Sequence, residues 1–269
     1  MPMQITNQPV ALKATLRRDA IRRSVEIAGH VSIAELKERL GVSEVTIRED
    51  LKHLENQQAL TRIRGGAVAA RTGGVELSLE ETSSTNHAEK VAIGARAAAM
   101  IQSGHTVIID VGSTTTELAK ALSPDLIGVV VITNGLNIAL LLESLPGISV
   151  IVTGGTLRPL QHSLVAPMGT LLLSQLRADI AFLGCNGVDP VHGFTNTNIP
   201  EAEIKQAMVK AAQSTVFLTD HHKIGRVASA FVTDVMSADL LITDEQADSQ
   251  VVGKLRNAGL AIDLVRPAE

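Results

Sequence analysis

Apolar residues return along this chain with two different periods, and the change of period divides it. Between residues 16 and 55 they recur every three or four positions, the spacing of one helix face. Ile21 and Val25 share a face of a helix expected over Leu16–Ala28 and stopped by Gly29. Ile33, Leu36 and Leu40 give a short second helix, and Ile47, Leu51 and Leu54 a third over Glu44–Glu55. From residue 91 onward, apolar runs of strand length alternate with helical patterns. The strands expected are Thr106–Asp110, Val129–Thr133, Ser149–Thr153, Asp179–Gly184, Thr215–Thr219, Leu240–Thr243 and Ala261–Val265. The helices expected are Val91–Ile101, Thr115–Leu122, Leu136–Leu145, Gly169–Leu176, Pro200–Ala212 and Asp248–Asn257. Such alternation predicts a mostly parallel sheet covered by helices.

The local chemistry of the first segment sharpens its reading. Ser32 and Glu35 have the spacing of a capping box, Gly41-Val42 makes a turn, and Ser43 is a good N-cap for the third helix. Two short helices joined by a glycine-containing turn predict a helix-turn-helix, whose second helix enters the major groove of DNA. On that helix Val45, Glu49, Lys52 and His53 lie opposite the apolar stripe, flanked by Thr46 and Arg48. Leu60 to Ala67 then reads as a β-hairpin wing, with Arg62 and Arg64 placed for phosphates or the minor groove. Charge agrees: residues 1–71 carry a net +4 and residues 72–269 a net −8. The expected organisation is a winged helix-turn-helix over residues 1–71, a linker over 72–90 and an α/β domain over 91–269.

With aromatics at 1% of 269 residues, the core must be built from Val, Ile, Leu and Ala. The lone Cys185 excludes an intrachain disulfide and fits a reducing compartment. Met1 to Ala14 has no apolar signal-peptide core, and no apolar run approaches a membrane span, so a soluble cytoplasmic chain is expected.

Ligands of open α/β sheets bind beyond the carboxyl ends of the strands, where the unusual polar residues of this chain fall. Asp110-Val-Gly-Ser-Thr-Thr-Thr116 links a strand to a helix; its glycine, hydroxyls and helix amides suit a phosphate or another anion, or make an ordinary capped turn. Thr133-Asn-Gly135, Thr153-Gly-Gly155 and Gly184-Cys-Asn-Gly187 end successive strands, and their recurrence suggests one shared pocket. Glu201 and Lys205 stand four apart on a helix and form either a surface ion pair or part of the site. Lys205 with Lys223 can neutralise a phosphate, while Asp110 and Asp220 can accept sugar hydroxyls. No cofactor or metal is expected: His221 and His222 are adjacent with no second ligand cluster at metal spacing. Cys185 is expected to be a packed thiol.

These motifs together resemble the DeoR family of bacterial transcriptional regulators. In the first segment the resemblance rests on Ser43-x-x-Thr46-Ile-Arg48, Asp50-Leu51, Leu54-Glu55 and Arg64-Gly-Gly-Ala67. In the second it rests on "IIDVGSTTTELAKAL", "VVVITNGLNIA", "VTGGTLRP", "IAFLGCNGVDPVHGFTNTNIPEAEIKQAMVKAA" and "DHHKIG". Similarity spans about residues 17–265. It implies an α/β sensor domain similar to ribose-5-phosphate isomerase and the glucosamine-phosphate deaminases, behind a small N-terminal winged helix-turn-helix domain. The resemblance implies operator contacts around Ser43, Thr46 and Arg48. Arg17, Val45, Glu49, Lys52, Arg62 and Arg64 complete the expected DNA-binding set. For the effector, a phosphorylated sugar or polyol, it implies Asp110, Gly112, Ser113, Thr114, Thr115, Asn134, Gly135, Gly154, Gly155, Asn186, Gly187, Glu201, Lys205, Asp220 and Lys223. The chain departs from the family pattern at Glu49, where a second Arg is usual, at Gln58, near a frequent Gly, and at Thr82, near a frequent Arg.

The function expected is a repressor of a carbohydrate operon, acting as a homo-oligomer on double-stranded operator DNA and released by a phosphorylated sugar. It is not expected to be an enzyme. The rivals are an isomerase- or deaminase-like enzyme with an accessory head, for which Asp110, Glu201 or Asp220 would serve as base, and an architectural DNA-binding protein with a ligand-free body.

Overall fold

The structure is a computed structural model, and it describes residues 14–28, 30–56, 59–63, 65–69 and 78–267. The chain divides into two compact units, Met1–Glu76 and Leu77–Glu269. The first unit runs α1 (Ala14–Ala28), β1 (His30–Ser32), α2 (Ile33–Leu40), α3 (Glu44–Asn56), β2 (Leu60–Ile63) and β3 (Gly66–Ala69). Of the residues that periodicity marks, Ile21, Val25, Ile33, Leu36, Ile47, Leu51 and Leu54 are buried in its core, and half-buried Leu40 packs against them. The capping box forms as expected, with the Ser32 hydroxyl accepting from the Glu35 amide at 3.1 Å and the Glu35 carboxylate accepting from the Ser32 amide at 2.8 Å. Gly41 ends α2 in the left-handed region at φ 64°. Gly29, expected to stop α1, lies outside the described residues.

Strand β1 is not apparent in the sequence pattern. It pairs antiparallel with β3, which also pairs with β2, so the wing is a three-stranded sheet in the order β1-β3-β2. Three residues are too few to show a period. Gly66 makes the pairing possible, because a Cβ there would sit 2.1 Å from the Val31 carbonyl oxygen.

The second unit runs α4 (Leu79–Ser84), α5 (His87–Ala98), β4 (Thr106–Ile109), α6 (Ser113–Lys120), β5 (Val129–Thr133), α7 (Leu136–Leu142), β6 (Ile148–Val152), β7 (Thr156–Arg158) and β8 (Ser163–Val165). It continues through α8 (Met168–Ser174), β9 (Ala178–Leu183), β10 (Gly187–Asp189), β11 (Gly193–Asn196), α9 (Ile199–Ala211) and β12 (Ala212–Leu218). It ends with β13 (Ala230–Thr233), β14 (Leu240–Asp244), α10 (Ser249–Asn257) and β15 (Ile262–Val265). The seven strands expected from the apolar runs form one parallel sheet in the order β15-β14-β12-β9-β4-β5-β6.

Alternate residues of these strands enter two separate cores. Val107, Ile109, Val131, Phe182, Val216 and Ile242 pack against α5, α6 and α7. Ile108, Ile132, Ala181, Leu183, Phe217 and Leu241 pack with α8, α9 and α10. Burial on both faces is why these strands read as continuous apolar runs. Each fully buried Val, Ile or Leu contributes roughly 1.5–3 kcal/mol. Stacked Phe194 and Phe217, with centroids 3.7 Å apart, use two of the four phenylalanines.

Two parts of this unit depart from the sequence reading. The β7–β8 hairpin and the antiparallel β10-β11-β13 sheet are absent from it, since strands of three or four residues carry no period. Residues 78–90, expected as linker, are mostly helical. Ser78 and Glu81 close a second capping box, Leu79 is buried beneath α4, and Lys90 is buried in α5. A six-residue helix with one buried apolar side chain looks like a polar loop. Among the described residues no helix is long and apolar enough to cross a membrane.

Gly66→Ala forces the β1–β3 pair apart. The first unit should lose about 1–3 kcal/mol, read in the full chain as faster hydrogen exchange across β1 and β3, with β4 and β9 unchanged.

Candidate functional site

The sheet order turns back on itself between β4 and β9. From β4 the chain adds β5 and β6 on one side, then returns to place β9 on the other. A crevice beyond the carboxyl ends of the strands opens at such a switch point. Asp110 follows β4 there, fully buried. Its Oδ2 accepts from the Gly184 amide after β9 at 3.1 Å and from the Lys205 ammonium of α9. Its Oδ1 is buried and has no hydrogen-bond partner. Burial pushes the Asp110 carboxyl above its ordinary range, against the pull of Lys205 and the Gly184 amide.

The first turn of α6 stands beside Asp110. Gly112 is its N-cap at φ 152° and gives it no side-chain cap. Thr116 N reaches the Gly112 carbonyl at 2.9 Å, while the amides before it have no partner inside the helix. Ser113 and Thr114 are buried, and their hydroxyls make no hydrogen bond within the described residues. Thr115 differs from expectation: its hydroxyl bonds back to the Gly112 carbonyl at 3.0 Å, and its side chain is fully buried. It shapes the turn.

Other expected effector residues support the walls. Asn134 accepts from Val111 N at 2.9 Å, joining the ends of β4 and β5. Gly135 caps α7, and Gly154 and Gly155 carry the chain from β6 into β7. Asn186 is exposed, and its Oδ1 accepts from Thr197 N at 3.0 Å; Gly187 opens β10.

Glu201 and Lys205 do not pair with each other. Glu201 instead accepts from Arg158 of β7, from Ser163 of β8 at 3.0 Å and from Asn196 of β11 at 3.0 Å. It ties the hairpin and the small sheet to α9. Lys205 is the counter-ion of Asp110, buried at 3% exposure, so its charge is already matched.

Asp220, after β12, accepts from Asn86 Nδ2 and from the His222 amide, each at 3.1 Å. Burial raises the Asp220 carboxyl, but Lys223, Lys90 and these hydrogen bonds outweigh it and hold it below the ordinary range. Among the described residues, Asp220, His221 and His222 bring ligand-type atoms within 4.8 Å of one another. Each already has a protein neighbour: His222 Nδ1 lies 2.7 Å from Asn86 Nδ2, and His221 Nδ1 lies 2.8 Å from Asp244. The lysines acting on Asp220 favour an anion nearby. Cys185 is buried, and burial pushes its thiol up.

In the first unit, α3 presents the expected face. Val45 is 67% exposed, and Arg48, Glu49, Lys52 and His53 are exposed. The Ser43 and Thr46 hydroxyls lie 2.9 Å apart. Arg48 pairs with Glu44 at 2.6 Å, and Arg62 with Glu55 at 2.6 Å; such exposed pairs are weak enough to exchange for phosphates. Arg17 is placed otherwise: it bonds buried Asp50 at 2.5 Å, with Arg18 on the other oxygen at 2.8 Å. These pairs fasten α1 to α3. Arg64 lies outside the described residues.

Two domain models match the chain in the order of its two units. The DeoR-like helix-turn-helix domain matches residues 14–72, and the DeoR C terminal sensor domain matches residues 85–245. The chain is 33% identical to the HTH-type transcriptional regulator GolR of Listeria innocua, covering 92% of this chain and 97% of that one. It is 30% identical to the glycerol-3-phosphate regulon repressor of Escherichia coli K12, covering 94% and 100%. Ribose 5-phosphate isomerase A of Methanocaldococcus jannaschii overlaps 52% of this chain, and 55% of its own, at 17% identity and a TM-score of 0.39. With both domain models matched in order over a helix-turn-helix unit and a parallel α/β unit, the chain belongs to the DeoR family, DNA-binding transcriptional regulators rather than enzymes.

Proposed function

We propose that this regulator represses a carbohydrate-metabolism operon and leaves its operator when a phosphorylated sugar or polyol binds beyond the carboxyl ends of β4 and β9. The observation that carries this reading is the unpartnered Asp110 Oδ1, buried at the switch point. A buried carboxylate oxygen without a donor is costly, and a sugar hydroxyl supplies one. Beside it, the open amides of α6 with the Ser113 and Thr114 hydroxyls suit a phosphoryl group. Lys205 keeps Asp110 an acceptor. The glycerol-3-phosphate regulon repressor among the relatives is consistent with an effector of this class.

On DNA, α3 lies in the major groove and the β2–β3 wing on the backbone, in a homo-oligomer that spans paired half-sites. Arg48, Lys52 and Arg62 supply salt-sensitive phosphate attraction, and Glu49 accepts from cytosine N4. The effector acts by binding the low-affinity conformation better than the operator-bound one, a difference of about 1–3 kcal/mol.

A panel of sugar and polyol phosphates, scored by dye-based melting and by operator gel shift, tests the sensor. One member should raise the melting temperature and weaken operator binding about 5- to 150-fold. Ser113→Asp should lose that response, because its carboxylate repels the phosphoryl group. A panel without effect on either measurement defeats the reading. An effector that tightens operator binding reverses induction to corepression.

Lys205→Met leaves Asp110 buried without its cation and should cost about 3–5 kcal/mol in urea unfolding. Glu49→Arg should change the preferred base at one operator position, read by a randomised-site binding selection. An unchanged preference and affinity would remove Glu49 from base recognition.

A further inference from the structure

Lys90 was not marked by the sequence as a functional residue. It stands one turn into α5 with a side chain 1% exposed, among the largest fully buried side chains of the protein. Its ammonium donates to the Thr82 carbonyl of α4 at 2.5 Å. An ammonium has three donors, and among the described residues no second acceptor and no carboxylate ion pair completes this one. A buried cation left so is expensive unless something else meets it.

Its surroundings show what that something is. Asn86, which begins α5, bonds Asp220 at 3.1 Å and His222 at 2.7 Å, fastening the first turn of α5 to the turn after β12. Lys223 closes that turn, and within the described residues its ammonium has neither a hydrogen bond nor an ion pair. Both ammonium groups act on Asp220 and hold its carboxyl down. Lys205, the lysine first expected to act with Lys223, is ion-paired with Asp110.

We propose that Lys90 and Lys223 join the first turn of α6, which packs on α5, in one anion-binding subsite of the sensor, taking a tetrahedral dianionic group such as the phosphoryl of the effector. This deepens the sugar-phosphate reading and rests on it. The two unused Lys90 donors meet the anion while the third holds Thr82, so occupancy also tightens the last turn of α4.

Burial, then Lys223, hold Lys90 down to about 8, against Asp220, Glu117 of α6 and Glu89 of its own helix. The other acids on packed elements are engaged: Glu80 with His162, Glu81 in its capping box, Asp244 with His221 and Asp263 with Arg96. A bound dianion favours the ammonium, so binding takes up a proton. Affinity is full while Lys90 is protonated and falls as pH rises through about 8.

Sulfate is the probe, since its charge does not change in this range. The full chain is melted in sulfate and in chloride of equal ionic strength, and the sulfate excess is taken. Affinity should fall about tenfold from about pH 7 to about pH 9. Lys90→Gln should abolish the sulfate excess at both pH values. Lys90→Arg should keep it and lose the fall at high pH, which carries the test if Lys90→Gln does not fold. Lys223→Gln should weaken it and move the fall to higher pH. Hydrogen exchange should show sulfate protecting residues 79–90 in the unsubstituted chain.

A sulfate response that is equal in the Lys90 and Lys223 variants, or flat with pH in the unsubstituted chain, overturns the subsite. If Lys90→Gln still binds a sugar phosphate and leaves the operator normally, the subsite falls and the sensor reading stands. If sulfate behaves as expected and no sugar phosphate binds, the subsite stands and the sugar reading falls.

Discussion

The charge of Asp110 is held at the end of β4 by one ammonium from α9, and the carboxyl-end crevice of the second unit is organised around that pair. Removing two charges from water costs several kcal/mol each, and their attraction repays this only when placement is good. Placement here is backed by packing on every side. The Asp110 amide bonds to Phe182 O at 3.0 Å, joining β4 to β9. Helix α9 presses Ile204 and Met208 into the core on either side of Lys205. Because Lys205 and Gly184 take one carboxylate oxygen, the other stays open at the switch point.

Three buried charged clusters occupy the same end of the sheet, and burial alone does not distinguish them. Asp110 and Lys205 cancel each other. Glu201 is surrounded by donors from three elements and serves as a joint. Around Asp220 two ammonium groups, of Lys90 and Lys223, act on one carboxylate. The unit as a whole is acidic, so its net charge does not describe this local field. Roles follow from which donors and acceptors are left over after the protein has met its own needs.

The first unit shows the same division in a smaller core. The buried pairs of Arg17 and Arg18 with Asp50 hold α1 on α3. The exposed pairs of Arg48 and Arg62 hold little and stay exchangeable. All four arginines look alike in a charge count. Exposure separates those that build the domain from those that face outward.

What the sequence determined by itself was local. Helix faces, the Ser32–Glu35 capping box, the seven apolar strands and the placing of polar residues at strand ends all follow from spacings within one or two turns, and each appears in the structure close to where it was read. Strands of three residues and the six-residue α4 were not legible, because a period needs more length than they have. The meeting of charges was decided only by the tertiary structure. Asp110 and Lys205 are 95 positions apart, and strand order, which no local pattern encodes, brings them together. That same packing excludes water around Lys90, and exclusion of water is what turns an ordinary lysine in a helix into a cation in need of a partner.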